Sequence, residues 1–115
     1  MNQRFNQIFL AQHFLIAGSC LRLWAGRGFR KMVVKCELAR GIAFLNAGNA
    51  TDAVGRFEAA LDMDSGFAPA QYWLGVGLIE LGRTEQASLE LEHYLQLEPT
   101  GEFAAEARTH LSHLR

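Results

Sequence analysis

Residues 34–67 read VKCELARGIAFLNAGNATDAVGRFEAALDMDSGF, and residues 68–101 read APAQYWLGVGLIELGRTEQASLELEHYLQLEPTG. Laid over one another, they are one unit of 34 residues written twice. Gly41 falls on Gly75, Gly48 on Gly82, Ala53 on Ala87, Glu58 on Glu92 and Leu61 on Leu95. The apolar positions follow the same register: Ile42 on Val76, Phe44 on Leu78, Leu45 on Ile79, Phe57 on Leu91 and Met63 on Leu97. Two stretches of helical apolar spacing with a glycine between them, repeated at this period, read as stacked helix–turn–helix units.

In the first unit the spacing predicts a helix over about residues 34–47. Leu38, Ile42 and Leu45 lie on one line of it, and Ala39, Ala43 and Phe44 on an adjoining one. Gly41 sits inside that helix, where glycine costs up to about 1 kcal/mol relative to alanine. Its recurrence as Gly75 points to a close approach by a neighbouring helix. Gly48 suits the left-handed position that ends a helix. Asn49 or Thr51 is then expected to cap the next helix, with Asp52 near the positive end of its dipole. That helix runs to about Met63, with Ala53, Phe57, Ala60, Leu61 and Met63 at helical spacing, and residues 64–66 close the unit. The second unit starts with Pro69 in a first turn, where its missing amide does no harm. Gly82 makes its turn, Thr84 is expected as the cap, and Pro99 stops its second helix. Residues 102–115 read as a closing helix: Phe103, Ala107, Leu111 and Leu114 form a stripe, and Glu102, Glu106, Thr109 and Ser112 face away from it.

Leu74-Gly75 with Leu78, Gly82 at the turn, Ala87, Leu91 and Pro99 stand at the intervals of the tetratricopeptide repeat (TPR) signature, and the chain resembles that family over residues 34–101, or 34–115 with the closing helix. It departs from the signature in four places. The usual aromatic is displaced to Trp73, Arg40 stands where a leucine precedes the glycine, Tyr94 replaces a small residue, and Ser65 stands where proline is common. The resemblance implies an all-α fold, a short α-solenoid of two units (34–67 and 68–101) and a cap (102–115), with an extra N-terminal helix. It also implies a function: in TPR proteins the first helix of each unit lines a concave groove that holds an extended peptide or a partner helix. Carried over by position, that surface comprises Leu38, Ile42, Leu45 and Asn46, then Tyr72, Val76, Ile79 and Glu80. Where the carboxylate-clamping version of the groove has lysines and asparagines, Leu38 and Ile42 stand here. The expected partner is therefore an amphipathic helix or an extended apolar segment of a protein.

Residues 1–33 form a separate apolar and basic segment. Phe5, Ile8, Phe9, Ala11, Phe14, Leu15, Gly18 and Leu21 recur at three- and four-residue steps, which favours an amphipathic packing helix. Two repeats bury their faces only against neighbours and need such support; the groove itself could hold this helix. Two other readings stay open. Arg4 followed by residues 8–18 resembles a signal peptide, which would make residues 1–20 a targeting element of an exported or membrane-tethered assembly factor. Residues 5–25 could also associate with a membrane, although Asn6, Gln7, Gln12, His13, Ser19 and Arg22 speak against a span. Met32 could equally open the natural chain. Residues 26–31, with Gly26 and Gly28 among arginines and a lysine, are expected as an exposed basic turn.

The net charge of −1 conceals a split. Residues 1–40 carry seven basic residues against Glu37, and residues 41–115 carry four basic against eleven acidic. Solvated faces account for this, and no nucleic-acid partner is expected. Cys20 and Cys36 show no metal-ligand spacing and read as buried or half-buried thiols of a reducing, cytoplasmic setting. Glu106, His110 and His113 lie at i, i+4 and i+7 of the closing helix, but three ligands on a helix end would make a poor metal site. The sequence has no nucleophile elbow, zinc-protease motif, phosphate loop or Cys-x-x-Cys. No catalytic residue, cofactor or metal is expected; self-association through the open ends of a two-unit stack is possible.

Overall fold

A computed structural model describes residues 27–114. Backbone contacts divide the chain into residues 1–32 and 33–115. The anticipated N-terminal packing helix, the membrane-associating stretch 5–25 and Cys20 lie outside the described residues. The described residues form five helices and no strand: α1 Arg27–Asn46, α2 Ala50–Met63, α3 Ala68–Glu80, α4 Thr84–Leu97 and α5 Ala104–Leu114. Together they make a helical repeat, α1–α2 and α3–α4, closed by α5.

Both intra-unit turns are built alike. Gly48 and Gly82 have φ of +81° and +78°, in the region that side chains with a Cβ avoid. Asn49 N–H donates to the Phe44 carbonyl (2.8 Å) and Gly48 N–H to that of Leu45 (3.0 Å); Arg83 and Gly82 repeat this on Leu78 and Ile79 (2.9 and 3.0 Å). This double bond pattern satisfies carbonyls that the ending helix leaves free. The expected side-chain caps do not form. The cap positions are Asn49 and Arg83, with ψ of 67° at each and no side-chain cap bond. The turn is so short that the residue closing the first helix also opens the second, and its backbone leaves the extended geometry a capping oxygen needs. Asn49 instead donates to Asp52 (2.8 Å), and Thr84 is already the first helical residue. Asp52 and Glu85 in the first turns favour the helix dipoles.

Two further expectations are corrected. Residues 27–31 are helical, not a basic turn; one glycine costs about 1 kcal/mol, which Arg27, Arg30, Lys31 and Met32, good helix formers, offset over a 20-residue helix. Cys36 is exposed, because it lies on the side of α1 away from α2.

The core is organised by the two in-helix glycines. A Cβ at Gly41 would run into the Phe57 ring, and one at Gly75 would meet Leu91 Cγ and Cδ2 at 2.8 Å. In each unit the first helix therefore lies down on the large side chain of the second, and both Phe57 and Leu91 are fully buried. Glu37 on α1 adds an ion pair with Arg56 on α2 (3.3 Å). Between units, α3 lies against α2: Gly77 faces Val54, and Ala70 joins Ala60 and Val34 in one cluster. Packed between α2 and α4, α3 is apolar on most of its sides, as a largely enclosed helix must be; even Gln71 is buried, while Trp73, Val76 and Ile79 stay half-buried and Glu80 exposed.

Tyr94 explains one departure from the repeat signature. It is buried, and its hydroxyl oxygen accepts the Phe103 N–H at 2.9 Å. Phe103 stacks on Tyr72 with ring centroids 4.5 Å apart, and Tyr94 meets the same ring edge-on at 5.7 Å. A small residue at position 94 would leave the closing segment without this anchor. Ala104, Ala107 and Leu111 of α5 complete the cluster with Leu91 and Tyr94.

Candidate functional site

The surface expected to bind a partner is carried by α1 and α3, and the structure places its residues in three grades. Leu38, Ile42 and Leu45 on α1 and Val76 and Ile79 on α3 are half-buried. Asn46 and Glu80, at the C-terminal ends of the same helices, are exposed. Tyr72 is 6% exposed, beneath Phe103; it supports the surface and offers little of its own. Leu38, Ile42, Leu45 and Ile79 all pack against one cluster built on Phe57, Leu74 and Leu78. Val76 and Ile79 also pack against the cluster around Tyr72, Leu91 and Tyr94. The half-buried side chains are thus fixed from below by the core while their outer parts stay open, the condition for an apolar contact surface that does not collapse.

Sequence reasoning did not carry the register of α3 onto α5. The period carries Tyr72, Val76 and Ile79 onto Glu106, His110 and His113 of α5. The His110 ring lies 6.2 Å from that of Tyr72, beside the α3 residues and in register with them. The signal was available, since adding one period to the α3 residues finds it. The spacing of these three side chains drew attention to metal binding instead; among the described residues, no group of three His, Cys, Asp or Glu side chains is placed to hold a metal ion.

The electrostatics grade across the strips. On α1 the helix carries Lys35 one turn before Leu38, while α3 ends at Glu80 and α5 supplies Glu106. Burial, then the negative charge of Glu106, then Tyr94, hold the Tyr72 phenol above its ordinary value. An open dent at the entry to α4, lined by Gly82, Arg83, Thr84, Glu85 and Gln86, includes none of the surface residues. It is the outer side of a tight turn, with a single chain segment as its wall, and offers no converging groups. Among the described residues no helix is long and apolar enough to cross a membrane.

A family model described as tetratricopeptide repeat matches residues 44–111. No curated protein matches the sequence. The matched stretch begins inside α1 and ends inside α5, and so takes in both glycine turns and all of α2, α3 and α4.

Proposed function

Because the chain belongs to the tetratricopeptide repeat family, whose domains are protein–protein interaction modules, we propose that it is a non-catalytic adaptor or chaperone-like module that holds an amphipathic helix or extended apolar segment of a partner protein. Residues 34–115 act as the binding domain. The groove is the face formed by Leu38, Ile42, Leu45 and Asn46 on α1 and Val76, Ile79 and Glu80 on α3, with Tyr72 as its floor and His110 extending it onto α5. The observation that carries this reading is the half-buried state of Ile42, Leu45, Val76 and Ile79. Each is anchored in the core yet leaves apolar surface uncovered, and apolar grooves of fixed shape take the apolar face of a helix.

The test is a selection of displayed amphipathic peptides against the full chain, followed by titration of a selected peptide. Ile42→Ala and Ile79→Ala each remove most of an apolar contact and should weaken binding by about tenfold, equivalent to about 1.4 kcal/mol. Leu89→Ala, at a residue 66% exposed on α4, should leave binding unchanged. Melting curves run in parallel separate lost contacts from lost fold. If no peptide is enriched, or if the groove variants bind as the parent does, the reading fails.

A further inference from the structure

The three first helices share a second register that the groove does not use. On α3, Ala70, Trp73 and Gly77 form a line, with Ala70 and Gly77 buried; α2 covers them, with Ala60 in the Ala70 cluster and Val54 Cγ2 against Gly77. One period later on α5, Ala104, Ala107 and Leu111 are 4%, 0% and 7% exposed beneath α4. One period earlier on α1, the same line is Cys36, Ala39 and Ala43, and all three are exposed. The small side chains of this line, Ala70 and Gly77 on α3 and Ala104 and Ala107 on α5, let a helix approach closely beside the larger Trp73 and Leu111, and in both covered cases the occupant is a helix.

Both covering helices also have one chemistry. α2 carries Asp52, Glu58 and Asp62 against Arg56, and α4 carries Glu85, Glu90 and Glu92 with no lysine or arginine. Each is amphipathic and acidic. The open line on α1 is flanked by exposed Lys35 and Arg40, of which Lys35 has no ion pair among the described residues. From the shared register and this charge complementarity we infer that the Cys36–Ala39–Ala43 face of α1 is a second docking seat, and that its occupant is an acidic amphipathic helix of another protein lying along α1 as α2 lies along α3. A second copy meeting this chain α1 to α1 would instead set Lys35 and Arg40 against their own counterparts.

Cys36 provides the readout. In full-length Cys20→Ser protein, the Cys36 thiol should be alkylated at the rate of an exposed thiol, unchanged by protein concentration. The probe is a helix-stabilised peptide of the α4 sequence, residues 84–97. Held at about ten times its dissociation constant, it should slow alkylation about tenfold by occupying the site. Ala39→Glu, at an exposed position, should abolish that protection without changing the melting temperature, and Lys35→Glu should weaken it. Ile42→Ala, in the groove, should not. Several results would overturn the inference. Cys36 protected in the dilute free chain would mean that residues 1–26 already occupy the face. Protection that grows with protein concentration would assign it to a second copy. No protection by peptide, or protection lost in Ile42→Ala and kept in Ala39→Glu, would remove the seat, the latter while leaving the groove reading intact.

Discussion

Gly41 and Gly75 carry the same duty at the same repeat position, but their surroundings give it different weight. At Gly41 the overlap is deeper and is with a rigid aromatic ring; at Gly75 it is with Cγ and Cδ2 of Leu91, a fully buried side chain that yields only by shifting as a whole. Gly41→Ala should therefore cost about 2–3 kcal/mol of stability, in the range of an overpacked core, and Gly75→Ala about 1 kcal/mol; chemical denaturation of the two variants checks the order. Tyr94→Phe keeps the ring and removes the acceptor of the Phe103 N–H, at a cost of about 1–2 kcal/mol for a part-buried donor left unmatched. Glu90 offers a pH test. Burial raises its carboxyl above the ordinary 4.5; His93 opposes this, and Glu58, the smallest influence, adds to it. The folded chain thus holds this proton longer than the unfolded chain does. Its contribution to stability is greatest below the unfolded value, falls as pH rises from about 4.5 through the folded value, and is level above it. Glu90→Gln should raise the melting temperature at neutral pH and flatten that part of the stability curve; an unchanged curve would show that Glu90 is solvated as an ordinary surface carboxylate.

At the scale of elements, most of the fold was legible because repetition doubles every signal. A glycine in a helix is ambiguous once; at Gly41 and Gly75 it marks a joint, and at Gly48 and Gly82 a turn. What was not legible depends on context that sequence spacing does not carry. The helical state of residues 27–31 was missed because a single glycine does not outweigh the good helix formers around it. Asn49 does hold the cap position, but its side chain bonds Asp52, and Thr51 and Thr84 fall inside the helices they were expected to cap, because these turns reuse one residue for two helices. Cys36 was assigned to the interior on residue type alone, whereas its position on α1 decides its exposure. That α5 continues the register of α3 was missed because residues 102–114 supply a single helix, without the paired second helix that confirms the register in the two units before it. The energetics give α5 a large part: it covers Tyr72, Leu91 and Tyr94, the centre of one core cluster. A chain ended after Thr100 should lose its cooperative unfolding transition by circular dichroism and bind a dye for exposed apolar surface. Retention of a sharp transition would show that two units stand without the cap.

Taken together, residues 33–114 form a short helical stack whose interior is fixed by its repeat and whose first helices present a graded surface: Lys35 on α1, apolar in the middle, histidine and carboxylate toward α5. On the proposed function, such a surface would recognise shape and polarity, with most of the binding energy at its apolar centre. The most direct test of that central claim is to map the contact of a selected amphipathic peptide by amide chemical shifts of the full chain. The account predicts the largest shifts at Ile42, Leu45, Val76, Ile79 and His110, with α4 residues such as Leu89 and His93 unmoved. Shifts concentrated on α2 and α4 with the first helices silent would contradict it.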